Sequence, residues 1–186
     1  MNRQTEISLN PYFDRTFNRN ATRILPGGYL VSASGMMLMT VLGSCVAVCI
    51  QDPVSRVGGM NHFMMPGTSR QPDSTGRYGQ PAMEMLLDDL IRQGGVLSRC
   101  RAKIFGAGRV IPDMSDIGRK NAEFALAFLS EHDIHVEVVD TGDIFPRKVY
   151  FNPETGQVFV KRLQQALPDD GTVPLSVQLH WGLSCQ

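Results

Sequence analysis

A thiol and an imidazole stand in two neighbouring apolar segments. Cys45 follows a Gly-Ser break and immediately precedes the apolar run 46–50. Glycine lets the backbone turn tightly there, and free N–H groups at such a turn can stabilise an oxyanion. His62, the only histidine in the first 130 residues, lies in a second apolar run, 59–65. An imidazole beside a thiol stabilises the thiolate as an ion pair and can then protonate leaving ammonia, so the pair predicts amide chemistry.

These residues also have ordinary structural explanations. Free cysteines are among the most buried residue types, so Cys45 alone would more often be a small core side chain. A histidine among methionines and phenylalanines is likewise commonly a core residue. His132 with His135, and Cys45 with Cys49, lack a second ligand pair for zinc. The segment 106–108 has too few glycines and no lysine for phosphate binding, which indicates a turn.

A hairpin would bring the thiol and the imidazole together. The two apolar runs are separated by a turn signal, Asp52-Pro53. Alternation along the second strand places Met60, His62 and Met64 on one face, beside Cys45. A third group usually orients such an imidazole, and Thr40 or Asn61 are the candidates. Thr40 is favoured, because Asn61 is adjacent to His62 and should face the opposite side.

Strands outnumber helices along the chain. The pattern predicts an α+β fold with a layered mixed β-sheet or β-sandwich core and about two main helices packed outside. The predicted strands are 29–34, 36–42, 46–50, 59–65, 103–105, 134–139, 148–151 and 157–161, and the helices are 81–92 and about 116–131. We divide the chain into an N-terminal arm with little regular structure (1–27), a single catalytic domain (28–163) and a C-terminal tail (164–186).

Composition narrows the functional classes. Eighteen basic residues balance eighteen acidic ones, which argues against nucleic acid as a partner. The N-terminus shows no apolar signal region, and the longest apolar stretch, 36–50, is too short to span a bilayer. Four cysteines without close paired spacing indicate reduced thiols. We therefore expect a cytoplasmic protein that is not inserted in a membrane.

Two motifs read together resemble the CheD family, the chemoreceptor glutamine deamidases. They are TVLGSCVAVCIQDP at 40–53 and GGMNHFMMP at 58–66. Further segments resemble the family in order and spacing, at 12–29, 77–90, 117–129 and 147–163. The resemblance implies that Cys45 is the nucleophile and His62 the general base. The family's threonine typically stands six positions before the cysteine, where this chain has Met39, and Thr40 lies one residue closer.

The resemblance also implies a reaction and partners. The expected activity converts glutamine to glutamate on the cytoplasmic helical domain of methyl-accepting chemotaxis receptors, through a thioester and with no metal or cofactor. A CheC-type phosphatase is an expected partner. Two alternatives stay open at this point. One is a non-catalytic binding module for a CheC-type phosphatase or a receptor, and the other is a small-molecule glutaminase or peptidase with the same Cys–His chemistry.

Overall fold

The computed structural model of this chain describes residues 11–68, 75–110 and 116–163. Its strands form two five-stranded sheets. The strands are β1 (Tyr12–Asp14), β2 (Arg19–Arg23), β3 (Tyr29–Ser32), β4 (Met37–Leu42), β5 (Val46–Asp52), β6 (Val57–Asn61), β7 (Arg101–Gly106), β8 (His135–Thr141), β9 (Arg147–Phe151) and β10 (Val158–Arg162), and the helices are α1 (Gly79–Arg92) and α2 (Ile117–Glu131). The first sheet has the order β1-β2-β4-β9-β10, and the second has β3-β6-β5-β7-β8. No helix in these ranges is long and apolar enough to cross a membrane.

The predicted fold class is confirmed. Most neighbouring strands are antiparallel, whereas β2 with β4 and β7 with β8 are parallel. The parallel pair β7–β8 is joined through α2, as the long crossover of a parallel connection requires. Asp116 starts that helix, since its carboxylate accepts the N–H of Arg119 at 3.2 Å.

Apolar side chains fill the space between the two sheets. Alternation along β4 sends Leu38 and Leu42 into this space, where they join Ala47, Phe105 and Val149. A second cluster covers the other face of the second sheet, where the helices pack. The central strand β5 is therefore buried on both faces, which explains its continuous apolar run 46–50.

The predicted hairpin is confirmed, with one correction to its second strand. β5 and β6 pair antiparallel, with Cys49 opposite Met60. The predicted strand 59–65 ends early, at Asn61, where the Val48 N–H of β5 donates to the Asn61 side-chain carbonyl at 3.0 Å and not to a backbone carbonyl. Pairing with β5 resumes only as an isolated bridge between Val46 and Phe63.

The irregular structure expected for 1–27 is wrong for part of that segment. Residues 12–23 supply β1 and β2, and β2 pairs in parallel with β4. Only Ala21 and Thr22 of β2 are buried, so its sequence looks too polar for a strand. The predicted tail 164–186 lies outside the described residues, as does the polar segment 69–74, and the domain division stays a prediction.

Candidate active site

The turn 43–45 carries the chain from one sheet to the other. It leaves β4 in the first sheet and enters β5 in the second within three residues. Cys45 is half-buried and packs against the apolar cluster between the sheets. Val46 directly follows it and exchanges two backbone hydrogen bonds with Phe63, at 3.1 and 3.0 Å. These bonds fix the thiol at the start of β5.

Strand register places His62 and this thiol on the same face of the second sheet. The pairs Val46–Phe63 and Cys49–Met60 share one register, which puts Ala47 opposite His62. Cys45 lies two residues before Ala47, so Cys45 and His62 are diagonal cross-strand neighbours on the inner face. The predicted association of the two side chains on one face therefore agrees with the register.

Thr40 meets the imidazole from the opposite sheet. Its hydroxyl lies 2.8 Å from His62 Nδ1 and donates to the Ile24 carbonyl, also at 2.8 Å. A hydroxyl has one proton, and the carbonyl can only accept, so Thr40 Oγ1 must accept from Nδ1–H. The imidazole is therefore the Nδ1–H tautomer, and its Nε2 carries a free lone pair.

Burial and pairing distinguish the two candidates for the third group. Asn61 faces the helices, where its carbonyl accepts the Val48 N–H at 3.0 Å and its amide donates to the Ala82 carbonyl. Thr40 is the one that contacts His62. Met39, one residue earlier, points to the outer face of the first sheet. The threonine therefore stands one residue later than is typical of the family, and its hydroxyl lies on the inner face of the first sheet.

Nε2 of His62 is buried, and no group in the described ranges hydrogen-bonds to it. Burial lowers the pKa of His62 to about 4, with a smaller opposing effect from the Ile24 carbonyl. Burial raises the pKa of the Cys45 thiol, and its own backbone N–H offsets part of that rise. Both groups are therefore neutral at pH 7, and the expected thiolate–imidazolium pair is not the resting state.

Every carbonyl of the turn 43–45 has a hydrogen-bond donor. The Gly43 carbonyl accepts the Gly108 N–H at 2.8 Å, and the Cys45 carbonyl accepts the Ala107 N–H at 2.8 Å. The Ser44 carbonyl, between them, accepts the side-chain amide of Asn121 at 3.1 Å. The predicted turn at 106–108 is confirmed, and it holds the backbone of the thiol-bearing turn.

A buried arginine anchors that supporting turn. Arg147 on β9 is 1% exposed and donates to the Gly106 carbonyl at 3.0 Å. Its charge is paired with Asp140 at 3.2 Å. Gly106 itself has φ +107°, and a Cβ there would lie 2.2 Å from the Cys45 carbonyl oxygen. Only glycine fits this close approach.

Sequence reasoning missed Asn121 and Arg147 as parts of the site. Asn121 stands on the same helical stripe as the buried Ala125 and Phe128, and a polar residue on an apolar stripe was the available signal. His132, which was considered above as a zinc ligand, lies at the end of α2. Its ring Nδ1 is 2.8 Å from the Phe128 carbonyl, within hydrogen-bonding distance. Its position explains it without a metal.

A half-buried thiol at a tight turn and a neutral imidazole on the same face of the sheet fit a cysteine-dependent hydrolase. The chain belongs to the CheD family. The family model described as CheD chemotactic sensory transduction matches residues 64–162. A protein of Janthinobacterium sp. (strain Marseille), named "Probable chemoreceptor glutamine deamidase CheD", is 46% identical over 86% of this chain and 81% of its own.

Other relatives carry the same name. The protein from Methylobacillus flagellatus is 46% identical over 87% of this chain and 83% of its own. The one from Burkholderia mallei is 43% identical over 88% of this chain and 72% of its own. Alignments of this length extend across both Cys45 and His62, which lie before the segment that the family model matches.

Proposed function

We propose that this protein deamidates glutamine side chains of chemoreceptors, with Cys45 as nucleophile, His62 as general base and Thr40 as the group that orients His62. The names of its relatives support the substrate. The observation that carries the assignment of roles is the hydrogen bond of Thr40 to His62 Nδ1, because it leaves Nε2 unprotonated.

In the first half of the reaction the Cys45 sulfur attacks the glutamine carboxamide carbon. Its proton passes to Nε2, and the carbonyl oxygen becomes an oxyanion. The Cys45 N–H, which belongs to the same residue as the thiol, can stabilise that oxyanion. His62 then returns the proton to the amide nitrogen, and the carbon–nitrogen bond breaks. Ammonia departs, and a thioester remains between Cys45 and the former glutamine side chain.

Water completes the reaction. Neutral Nε2 takes a proton from a water molecule as its oxygen adds to the thioester carbon, which forms a second oxyanion. The carbon–sulfur bond then breaks, the sulfur regains its proton from His62, and the product is glutamate. The sequence of steps needs a base that is neutral before each attack, and the lowered pKa of His62 supplies it across the physiological range.

The chemistry of the substrate sets the cellular context. The glutamines belong to the cytoplasmic helical domain of a methyl-accepting receptor, so we place the protein in the cytoplasm. Conversion of glutamine to glutamate creates a carboxylate for methylation and changes the local charge, which tunes adaptation. A CheC-type phosphatase stays a predicted partner.

Mass spectrometry of a purified receptor cytoplasmic fragment tests the proposal. Incubation with wild-type protein should add about one dalton per modified glutamine, since an amide nitrogen is replaced by oxygen. Cys45→Ala and His62→Gln should add nothing, whereas Cys49→Ala, which alters a buried thiol elsewhere in the core, should retain activity. If neither wild type nor variants modify a fragment that they demonstrably bind, the protein is a binding module.

A further inference from the structure

Asn121 is a buried polar residue on the face of α2 that packs on the second sheet. It has no exposed surface, and its side-chain amide donates to two backbone carbonyls, that of Ser44 at 3.1 Å and that of Met64 at 2.9 Å. Because both partners can only accept, the NH₂ group must be the one that faces them. A single side chain thus ties the turn 43–45 to the segment just beyond His62.

The bond to Ser44 determines where the Cys45 N–H points. A trans peptide unit carries its C=O and N–H on opposite sides, so holding the Ser44 carbonyl toward α2 holds the Cys45 N–H away from it. That N–H lies beside the Cys45 thiol, and in the described ranges nothing else accepts it. It is therefore free to donate to a group bound at the sulfur.

Asn121 differs from the other supports of this turn. The carbonyls of Gly43 and Cys45 are held by backbone N–H groups, whereas that of Ser44 depends on a side chain. The Asn121 carbonyl oxygen is also buried, with no partner among the described residues. An unpaired buried acceptor lowers stability, so packing alone would favour an apolar residue here, as at Ala122 and Ala125.

We propose that Asn121 is a positioning residue that orients the Ser44–Cys45 peptide so that the Cys45 N–H stabilises the oxyanion. The proposal rests on the proposed role of Cys45 as the nucleophile. Asn121 does not touch the reacting atoms. It acts on the transition state through the peptide that it holds, so its removal should lower kcat and leave substrate binding unchanged.

Deamidation and alkylation both use the Cys45 thiol, and comparing their rates distinguishes a positioning role of Asn121 from a general structural role. Deamidation passes through an oxyanion, whereas alkylation of Cys45 by iodoacetamide does not. Asn121→Ala should lower kcat for a receptor fragment by about 10- to 100-fold, because an oxyanion donor is misaligned. KM should stay within about twofold of wild type. The alkylation rate, followed on Cys45 by peptide mass spectrometry, should fall far less than kcat, because alkylation forms no oxyanion and the N–H only partly offsets the effect of burial on the thiol pKa.

Asn121→Asp is the matched variant, because it keeps the size and replaces the donor by an acceptor that repels the Ser44 carbonyl. Its kcat should fall at least as far. Asn152→Ala is the control. Asn152 also bonds backbone, at the turn after β9, where its side chain accepts the Glu154 N–H at 3.0 Å. This change should lower the melting temperature and leave kcat unchanged.

The outcomes are distinct. A folded Asn121→Ala or Asn121→Asp protein with wild-type kcat would overturn the proposal, and so would a parallel fall in kcat and alkylation rate. If the alanine variant does not fold, the aspartate variant decides. Failure of both to fold would make Asn121 a structural residue. If Cys45→Ala still deamidates the fragment, the proposed function itself fails, whatever the Asn121 variants do.

Discussion

Replacing Thr40 by valine removes one hydroxyl and nearly preserves the shape of the side chain. The hydroxyl is buried between the sheets, where it joins His62 Nδ1 to the Ile24 carbonyl. Without it the ring loses the Thr40 oxygen as an acceptor for Nδ1–H and keeps only the Ile24 carbonyl. The imidazole can then place its proton on Nε2, and that form cannot take the proton of the Cys45 thiol.

The size of the effect follows from the change of charge on His62 during the reaction. In the resting enzyme the 2.8 Å bond joins neutral groups and is worth about 1 kcal/mol. When Nε2 takes the thiol proton, the ring becomes a cation, and the same bond is worth about 1.5–3 kcal/mol. The difference of about 0.5–2 kcal/mol corresponds to a loss of about 2- to 30-fold in kcat.

Receptor-fragment deamidation under saturating substrate measures this loss. Thr40→Ser, which keeps the hydroxyl, should stay within about threefold of wild type, since the bond is retained. Thr40→Val should also unfold more easily, by about 1–3 kcal/mol, because it leaves buried polar groups unpaired. A valine variant with wild-type kcat would refute the reasoning, as would a serine variant that is as slow as valine.

Three further predictions concern titration and backbone. In an NMR titration the His62 imidazole should protonate near pH 4. Stability should fall as the pH drops from 6.5 towards 4, because the unfolded chain binds a proton that the folded one excludes, and His62→Gln should remove this part of the pH dependence. Alkylation of Cys45 should keep accelerating above pH 9, because burial raises the pKa of its thiol, and a plateau at pH 5–6 would instead reveal an ion pair. Gly106→Ala should lower kcat at least about tenfold by displacing the Cys45 carbonyl, whereas Gly142→Ala, also at positive φ but in open space, should not; equal activities would contradict the close packing.

Local pattern was sufficient for the elements that carry the thiol and the imidazole. Gly-Ser before an apolar run marked the turn at Cys45, and Asp52-Pro53 marked the hairpin that returns His62 to it. Alternation then placed Asn61 on the opposite side of its strand from His62, which left Thr40 as the favoured third group. Each of these inferences depends on residues close together in the sequence, which is why the sequence could support them.

Local sequence patterns did not predict the contacts between segments that lie far apart in the chain. β2 forms only because the edge of β4 is available to it, and its own polar sequence gives no sign of this pairing. Asn121 lies 77 residues from the Ser44 that it holds. The resting charge state of Cys45 and His62 also escaped prediction, because burial sets it and burial comes from both sheets together.

The passage of the chain between sheets within residues 43–45 limits how related proteins can vary in length. One residue added between Cys45 and Val46 would shift the thiol out of phase with β5 and turn it to the helix side. The opposite end of the same hairpin, at 53–56, is less restricted, since Pro53, Val54 and Arg56 are exposed. Natural insertions and engineered tags should therefore be tolerated at 53–56 and excluded from 43–45.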